Sequence, residues 1–564
     1  MTTTLPVAPP RSTPRQGPSA GDVWRRRVLV LLVLAGPLAW SLQRAVGSDD
    51  LVNGGGLALV DDLLGLALHP ATDRAFLEVV GRAVLVTVAF ALLGTAAALV
   101  LGGVGGLVLS DVAWGDRPGR WVAAVRLPLR AVLVAARSVH ELVWALLLVS
   151  VLGLDPLVAV VAVAVPFGAQ TAKVFADTLD GTPRGPVDAL RAGGVAPVPA
   201  LVYGLLPGAL PLLLSYSFYR LECAIRSVVV LGVVGVGGLG QELVVSLQSR
   251  NWDEVWTLVG AVLVLSAVVD LWSTRVRSGL AVATCSDWSS GRTDVARGSG
   301  GSSWVRGSAW ALVPLLAWAW WYADVSLAGL VSDRTRELTG RLVGEMLPPS
   351  PPPGGWSSLG VAVLDTVSMA VLAMAVAVVL TLAVGPLAAR PRRDQSGAGA
   401  GPLRWAAWGG ARLVLLAMRS VPPTVWAVVA LLVLFPGVLP GAVALGVYTG
   451  GILGRLVAEA WESVPLRPRS ALQDVGVPRG LAGLAATVPA GATSLVTYTL
   501  YRFEICVRDT AVVGVVGAAG LGRLLQENLS AFRFPAVTSL LVASFLVSVA
   551  AEVVGRRIRR FLAA

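Results

Sequence analysis

The chain has 564 residues, 55% of them hydrophobic and only 14% charged, with a formal net charge of +11 and a mean hydropathy of +0.74. Soluble domains carry about 25% charged residues, so the composition excludes an ordinary water-soluble enzyme and points to a polytopic membrane protein. A pI of 10.4 would suggest nucleic acid in a soluble chain, but here the arginines collect in particular loops and report topology instead.

Residues 1–24, rich in Pro, Ser and Thr, are expected to be a disordered cytoplasmic N-terminus. No convincing small-residue cleavage site follows the first apolar run, which argues against a signal peptide. Apolar windows long enough to cross the membrane as helix fall near 27–44, 80–110, 130–153, 156–176, 199–221 and 255–273. A second set falls near 304–325, 358–389, 411–435, 440–460, 481–503 and 537–555. The fold class expected is therefore an all-α polytopic membrane protein of about 12 transmembrane helices. Residues 25–280 form a first transmembrane unit, 281–303 a Gly- and Ser-rich cytoplasmic linker, and 304–564 a second unit.

Arg25, Arg26 and Arg27 precede the first span, and Arg117, Arg120 and Arg126 lie between the second and third. Arg275, Arg277, Arg292 and Arg297 lie between the units, and Arg556, Arg557, Arg559 and Arg560 close the chain. The loop after the first span carries Asp49, Asp50, Asp61 and Asp62 instead. The positive-inside bias then puts both termini in the cytoplasm of a multi-pass plasma-membrane protein.

The two units repeat. Tyr219, Arg220, Glu222 and Arg226 recur 282 positions later as Tyr501, Arg502, Glu504 and Arg508. The same offset carries Arg137 to Arg419, Trp144 to Trp426, Gly194 to Gly476 and Gly240 to Gly522. Duplicated membrane units with equal orientation imply a pathway between two halves.

Catalytic chemistry has no candidates. No phosphate-binding loop is present, and Lys173, the only lysine, sits inside a span. His69 and His140 cannot build a triad or zinc site, and Cys223, Cys285 and Cys506 lack metal spacing. The chain is expected to bind no cofactor or metal, and transport is the default activity. The glycine run Gly235–Gly240 follows a span on the outer side, away from ATP, and is expected to be a tight re-entrant turn.

Between the fourth and fifth spans, the stretch from Gly185 to Pro197 is a short amphipathic segment on the cytoplasmic side. From composition alone it is either a docking helix for a soluble partner or an interfacial loop. Asp188-Ala189-Leu190, Gly194 and Leu206-Pro207 match the cytoplasmic signature of binding-protein-dependent ABC importers, and the second unit keeps Ala471-Leu472, Gly476 and Pro489 with Ser470 in place of the acid. Within that superfamily the chain most resembles the phosphonate-transporter permeases. The run from Leu214 through Tyr219-Arg220-Leu-Glu222 to Gly240, its second version from Thr497 to Gly522, and Arg137–Trp144 carry the resemblance.

The resemblance implies a type I ABC importer permease (MetI-like) fold in two parallel repeats, two permease units fused in one chain. It also implies two cytoplasmic ABC ATPase subunits, which use ATP and Mg, and an extracytoplasmic substrate-binding protein. Asp188, Ala189, Leu190, Gly194, Ala471, Leu472 and Gly476 would then be the coupling elements that dock on the ATPases. The solute expected is a phosphonate, with phosphate or phosphite next. The competing class is an ATP-independent secondary transporter, which also uses repeats and midplane charges.

Ionisable groups inside spans mark the expected translocation path. Arg220, Glu222, Arg226, Arg502, Glu504, Arg508, Arg137, Arg419, His140 and Glu141 are its candidates. Same-helix spacing pairs Glu222 with Arg226, Glu504 with Arg508, Lys173 with Asp177 and Arg455 with Glu459, and sets Arg137 four residues from Glu141. Arg220 and Arg502 are left over, to attract an oxyanion, to reach the outer interface or to knit the halves together. Pro422-Pro423 is expected to interrupt the third span of the second unit, while His140-Glu141 leaves the first unit's intact.

Overall fold

The computed structural model describes residues 35–46, 51–114, 119–284, 301–391, 401–464 and 467–563, which are almost wholly helical. Segment 1–24, Arg25–Arg27, Asp49, Asp50, Arg117, Cys285, Arg292 and Arg297 lie outside the described residues. In the first half α1 (35–46) leads through α2 (Gly56–Gly65) to α3 (Arg74–Leu109), α4 (Arg120–Ser138), α5 (Glu141–Leu152) and α6 (Pro156–Gly181). A short α7 (Gly185–Ala192) precedes α8 (Leu206–Leu231), α9 (Leu239–Ser249) and α10 (Trp252–Thr284).

The second half repeats the order. It runs α11 (Gly301–Tyr322), α12 (Asp333–Glu345), α13 (Gly355–Ala388), α14 (Pro402–Ser420) and α15 (Pro423–Val433). Then come α16 (Val438–Ser463), α17 (Arg467–Asp474), α18 (Arg479–Val515), α19 (Leu521–Ser530) and α20 (Phe534–Ala563). Helices α10 and α11 run a few residues into the stretch expected to be linker.

Among the described residues six helices (α3, α6, α10, α13, α16 and α20) are long and apolar enough to cross a membrane, and three bent pairs pass when each is taken as one span. Helices α1, α11 and α18 stand where the remaining three spans are expected, consistent with about twelve.

The third span of each half is a sharp elbow. Helices α4 and α5 meet at 96°, and α14 and α15 at 89°. The expectation of an unbroken span in the first half is therefore corrected. Val139 and His140 are extended, with ψ of 131° and 147°, and His140 Nδ1 accepts the Leu142 N–H at 3.1 Å as the cap of α5. In the second half Pro422 is extended and Pro423 opens α15, a position where its missing N–H costs nothing. A capping histidine in one half does the work of two prolines in the other.

Each half's first helix packs against the other half. Arg44 of α1 pairs with Asp365 of α13 at 2.7 Å, and Ala45 joins the second-half core around Met369 and Ala444. Ala319 of α11 lies in the first-half core with Phe90, Leu157 and Val228. The halves are interlocked rather than merely apposed.

The glycine run Gly235–Gly240 forms the expected tight turn. Gly235 and Gly238 have φ of +85° and +82°, and the turn delivers α9 onto α3, where Thr87 Oγ1 accepts the Leu239 N–H at 2.9 Å. Thr366 does the same for Leu521 at 2.9 Å. A Cβ on Gly240 would stand 1.8 Å from the Val229 carbonyl oxygen, and one on Gly522 2.5 Å from that of Ala511. Gly240→Ala or Gly522→Ala is expected to destabilise the solubilised protein by ~1–3 kcal/mol through overpacking, seen as a lower Tm. Gly103→Ala, where an added Cβ meets nothing within 4 Å, should leave Tm nearly unchanged.

Candidate functional site

The two elbows and helices α8 and α18 enclose a cavity of about 180 Å³ between the halves. Arg137, His140, Glu141, Arg220, Glu222, Arg226, Arg419, Arg502 and Arg508 all line it, so the sequence candidates converge on one place. Glu504 does not line it. Seven arginines and four carboxylates face the space, an excess of positive charge that favours an anionic solute.

Two acids that sequence reasoning passed over organise these cations. Asp270 of α10 meets Arg419 Nη2 at 3.1 Å and Arg455 Nη1 at 2.5 Å. Glu552 of α20 meets Arg137 Nη2 at 2.8 Å and Lys173 Nζ at 3.5 Å. Asp270 and Glu552 are repeat equivalents, as are Lys173 and Arg455. Each acid belongs to one half and its cations to the other. The signal available in the sequence was an acid in the last span recurring at the repeat offset.

Same-helix pairing holds for Arg226 with Glu222 at 3.2 Å and Arg455 with Glu459 at 2.7 Å. Elsewhere the expectation is corrected. Lys173 and Arg137 reach across to Glu552 rather than to Asp177 and Glu141. Arg508 Nη1 donates to the backbone carbonyl of Arg137 at 2.6 Å and makes no ion pair with Glu504 among the described residues. Carbonyls at the C-terminal end of α4 lack helical partners at the elbow, and a cation there also meets the negative end of the helix dipole.

Arg220 and Arg502 are 4% and 6% exposed. The Nε and Nη2 of each are buried without a hydrogen-bond acceptor among the described residues. The Arg220 guanidinium lies 3.6 Å from the centre of the Phe167 ring. Arg502 stands 3.8 Å from Asp509, beyond hydrogen-bonding reach. Leaving charged donors buried and unsatisfied is expensive, of the order of several kcal/mol. The knitting role thus falls to Arg137, Arg419 and Arg455, while these two guanidinia are left to whatever enters the cavity.

A second arrangement lies at the expected coupling segments. In α7, Val187 is fully buried and anchors the helix, Leu190 is half-buried against the same cluster, and Asp188 and Ala189 are exposed. In α17, Ala471 is exposed and Leu472 half-buried. Gly194 and Gly476 follow with φ of +82° and +85°. Val195 N–H then reaches Leu190 O, and Val477 N–H reaches Leu472 O, both at 3.0 Å. The two helices therefore end in the same left-handed glycine cap.

Just before each segment, an acid at the end of the preceding span ties that span to the chain leaving α3 or α13. Asp180 accepts from Ser110 Oγ at 2.7 Å and Val112 N–H at 3.0 Å. Its repeat equivalent Glu462 accepts from Arg390 N–H and Arg412 Nη2, both at 2.7 Å.

The pattern of the family described as binding-protein-dependent transport system inner membrane component matches residues 117–282 and again 397–563. The phosphate-import permease protein PhnE of Mycolicibacterium smegmatis is 31% identical over 439 residues, 76% of this chain and 76% of that protein. The phosphite transport system permease protein PtxC of Stutzerimonas stutzeri is 32% identical over 257 residues, 44% of this chain and 87% of that one. A solved chain of the MetNI methionine ABC transporter is 20% identical and covers 36% of this chain, with a TM-score of 0.30.

Glu552→Gln is expected to cost about 3 kcal/mol, because it strands the buried Arg137. Adding Arg137→Gln should cost less than the sum of the two single changes, which thermal unfolding of the four variants in a double-mutant cycle would measure.

Proposed function

The chain belongs to the binding-protein-dependent transport system inner membrane components, carrying the family's unit twice, and on that premise we propose that it imports a small phosphorus oxyanion. A phosphonate is the first choice, with phosphate and phosphite next. As a member of that family it is a multi-pass transport permease rather than an enzyme. The observation that carries the solute class is the pair Arg220 and Arg502, one from each half, buried beside the cavity with Nε and Nη2 of each lacking a hydrogen-bond acceptor among the described residues. Planar guanidinia match tetrahedral oxyanions with paired N–H donors and offset the anion's loss of water. The relatives named for phosphate and phosphite support the same class.

Two ATPase subunits dock from the cytoplasm on α7 and α17, and an extracytoplasmic binding protein delivers the solute. ATP and Mg act in the ATPases and not in this chain. Asp188, Ala189 and Ala471 offer exposed contact surface, while Val187 and Leu190 hold α7 to its own half. Both termini lie in the cytoplasm. Closure of the ATPases moves α7 and α17 and with them the adjoining ends of α6 and α16, and the bonds of Asp180 and Glu462 carry that movement on to the chain leaving α3 and α13.

The test is uptake of labelled methylphosphonate into proteoliposomes containing the chain, its ATPase and its binding protein. Uptake is expected to require ATP, to be inhibited by phosphate and to be insensitive to methionine. Arg220→Gln with Arg502→Gln should lower it about tenfold or more while the ATPase stays bound. Gly194→Val and Gly476→Val, each placing a branched residue at positive φ for ~1–2 kcal/mol, should lower ATPase association and uptake together. ATP-independent uptake would indicate a secondary transporter and overturn the proposal, and inhibition by methionine alone would discard the oxyanion.

A further inference from the structure

The repeat that runs through the cavity breaks on one of its walls. His140 and Glu141 stand where the second half has Pro422 and Pro423, and Asp509 stands where the first half has Ser227. The structure brings these departures together. His140 Nδ1 lies 3.6 Å from Glu141 Oε2, and His140 Nε2 lies 3.7 Å from Asp509 Oδ1. Glu141 Oε1 is taken by the Ser227 hydroxyl at 2.5 Å. His140 Nδ1 is occupied by the Leu142 N–H, so the neutral ring carries its proton on Nε2, toward Asp509.

Asp509 is the member left without hydrogen bonds. It is 9% exposed and lines the cavity. Its nearest cation, Arg502 Nη2, is 3.8 Å away, and no donor is within hydrogen-bond distance of its carboxylate among the described residues. A buried carboxylate and a buried guanidinium thus stand side by side at the cavity, each short of a partner. An ionised carboxylate only accepts hydrogen bonds. Beside an anion it repels unless one proton lies between them.

We infer that Asp509 is a specificity-determining residue that accepts the hydroxyl proton of a monoprotonated phosphorus oxyanion, while Arg220 and Arg502 take the unprotonated oxygens. The inference rests on the oxyanion reading above and narrows it. A phosphonate, phosphite or hydrogen phosphate brings the required P–O–H. Sulfate, similar in shape and charge, carries no proton at neutral pH and leaves two negative groups facing each other. Glu141 and His140 flank this acid and are held by other groups, Glu141 by Ser227 and His140 by its cap on α5.

The binding protein would mask selectivity at this cavity, so the test omits it. Binding of radiolabelled inorganic phosphate to the purified full chain with its ATPase is measured by equilibrium dialysis at neutral pH, with methylphosphonate or sulfate as competitor. Wild type is expected to release phosphate to methylphosphonate at about tenfold or more lower concentration than to sulfate. Asp509→Asn, and Asp509→Ser, which copies the first half, should still bind phosphate, with the preference over sulfate falling about tenfold. Co-purification with the ATPase reports that a variant is folded, and a folded Asp509→Asn that binds no phosphate would also overturn the inference.

Equal competition by the two anions in wild type, or an unchanged preference in a folded variant, would overturn this inference and leave the oxyanion reading standing. Wild type that binds neither phosphate nor methylphosphonate would overturn both. Arg502→Gln should weaken phosphate and sulfate alike, a loss of affinity without the change in preference reserved to Asp509.

Discussion

The arrangement depends on crossed charge neutralisation between the halves. A cation inside the hydrocarbon zone is tolerated only with a partner, and the last span of each half supplies one acid for the other half's cations. Asp270 holds Arg419 and Arg455, and Glu552 holds Arg137 and Lys173. Separating the halves would break all four of these pairs, and a buried charge that loses its partner is far costlier than a lost contact. The exchanged first helices, with Arg44 on Asp365, reinforce the same embrace from the periphery. These pairs join α10 to α14 and α16, and α20 to α4 and α6, around the cavity.

Those pairs also decide which charges remain for function. Seven arginines reach the cavity, but most are committed to carboxylates or to a helix end. Arg220 and Arg502 are the exception: even with Asp509 3.8 Å from Arg502, the Nε and Nη2 of each lack an acceptor among the described residues, a local cost that the rest of the fold must outweigh. The elbows matter here as well. An unbroken third span would carry Arg137 and Arg419 past the cavity along a straight axis. A right-angled break instead ends a helix there, bringing both its terminal carbonyls and its last cation to the centre.

Much of this was legible in the residues. The repeat offset, the approximate spans, the convergence of Arg220, Arg502 and their neighbours, and the glycine caps at Gly194 and Gly476 follow from spacing and backbone chemistry. What was not legible is long-range. Helical periodicity pairs residues four apart, so it offered Asp177 to Lys173 and Glu504 to Arg508. The folded chain prefers Glu552 and the Arg137 carbonyl, hundreds of residues away. The first elbow was missed for a different reason. Proline announces a break in any context, whereas His140 breaks the span only because its ring turns back to cap α5, a choice of rotamer that a sequence does not display. The clamps at Asp180 and Glu462 were hidden in the same way, since each looks like an ordinary charge at a helix end.

The inequality of the cavity's walls bears on heredity as much as on chemistry. Two identical first halves would pair Glu141 with Ser227 twice and contain no Asp509; two identical second halves would carry the proline elbow twice and lack His140. Neither self-pairing rebuilds the mixed wall, and a cell making the halves separately would waste part of its output on such assemblies. A single reading frame removes that loss by enforcing one of each, side by side and at high effective concentration. Once the acid and the histidine had been divided between the halves, a change in one could be answered only by a change in the other. Fusion makes that correspondence heritable as a unit, and it turns a duplicated gene that was free to lose a copy into one that cannot.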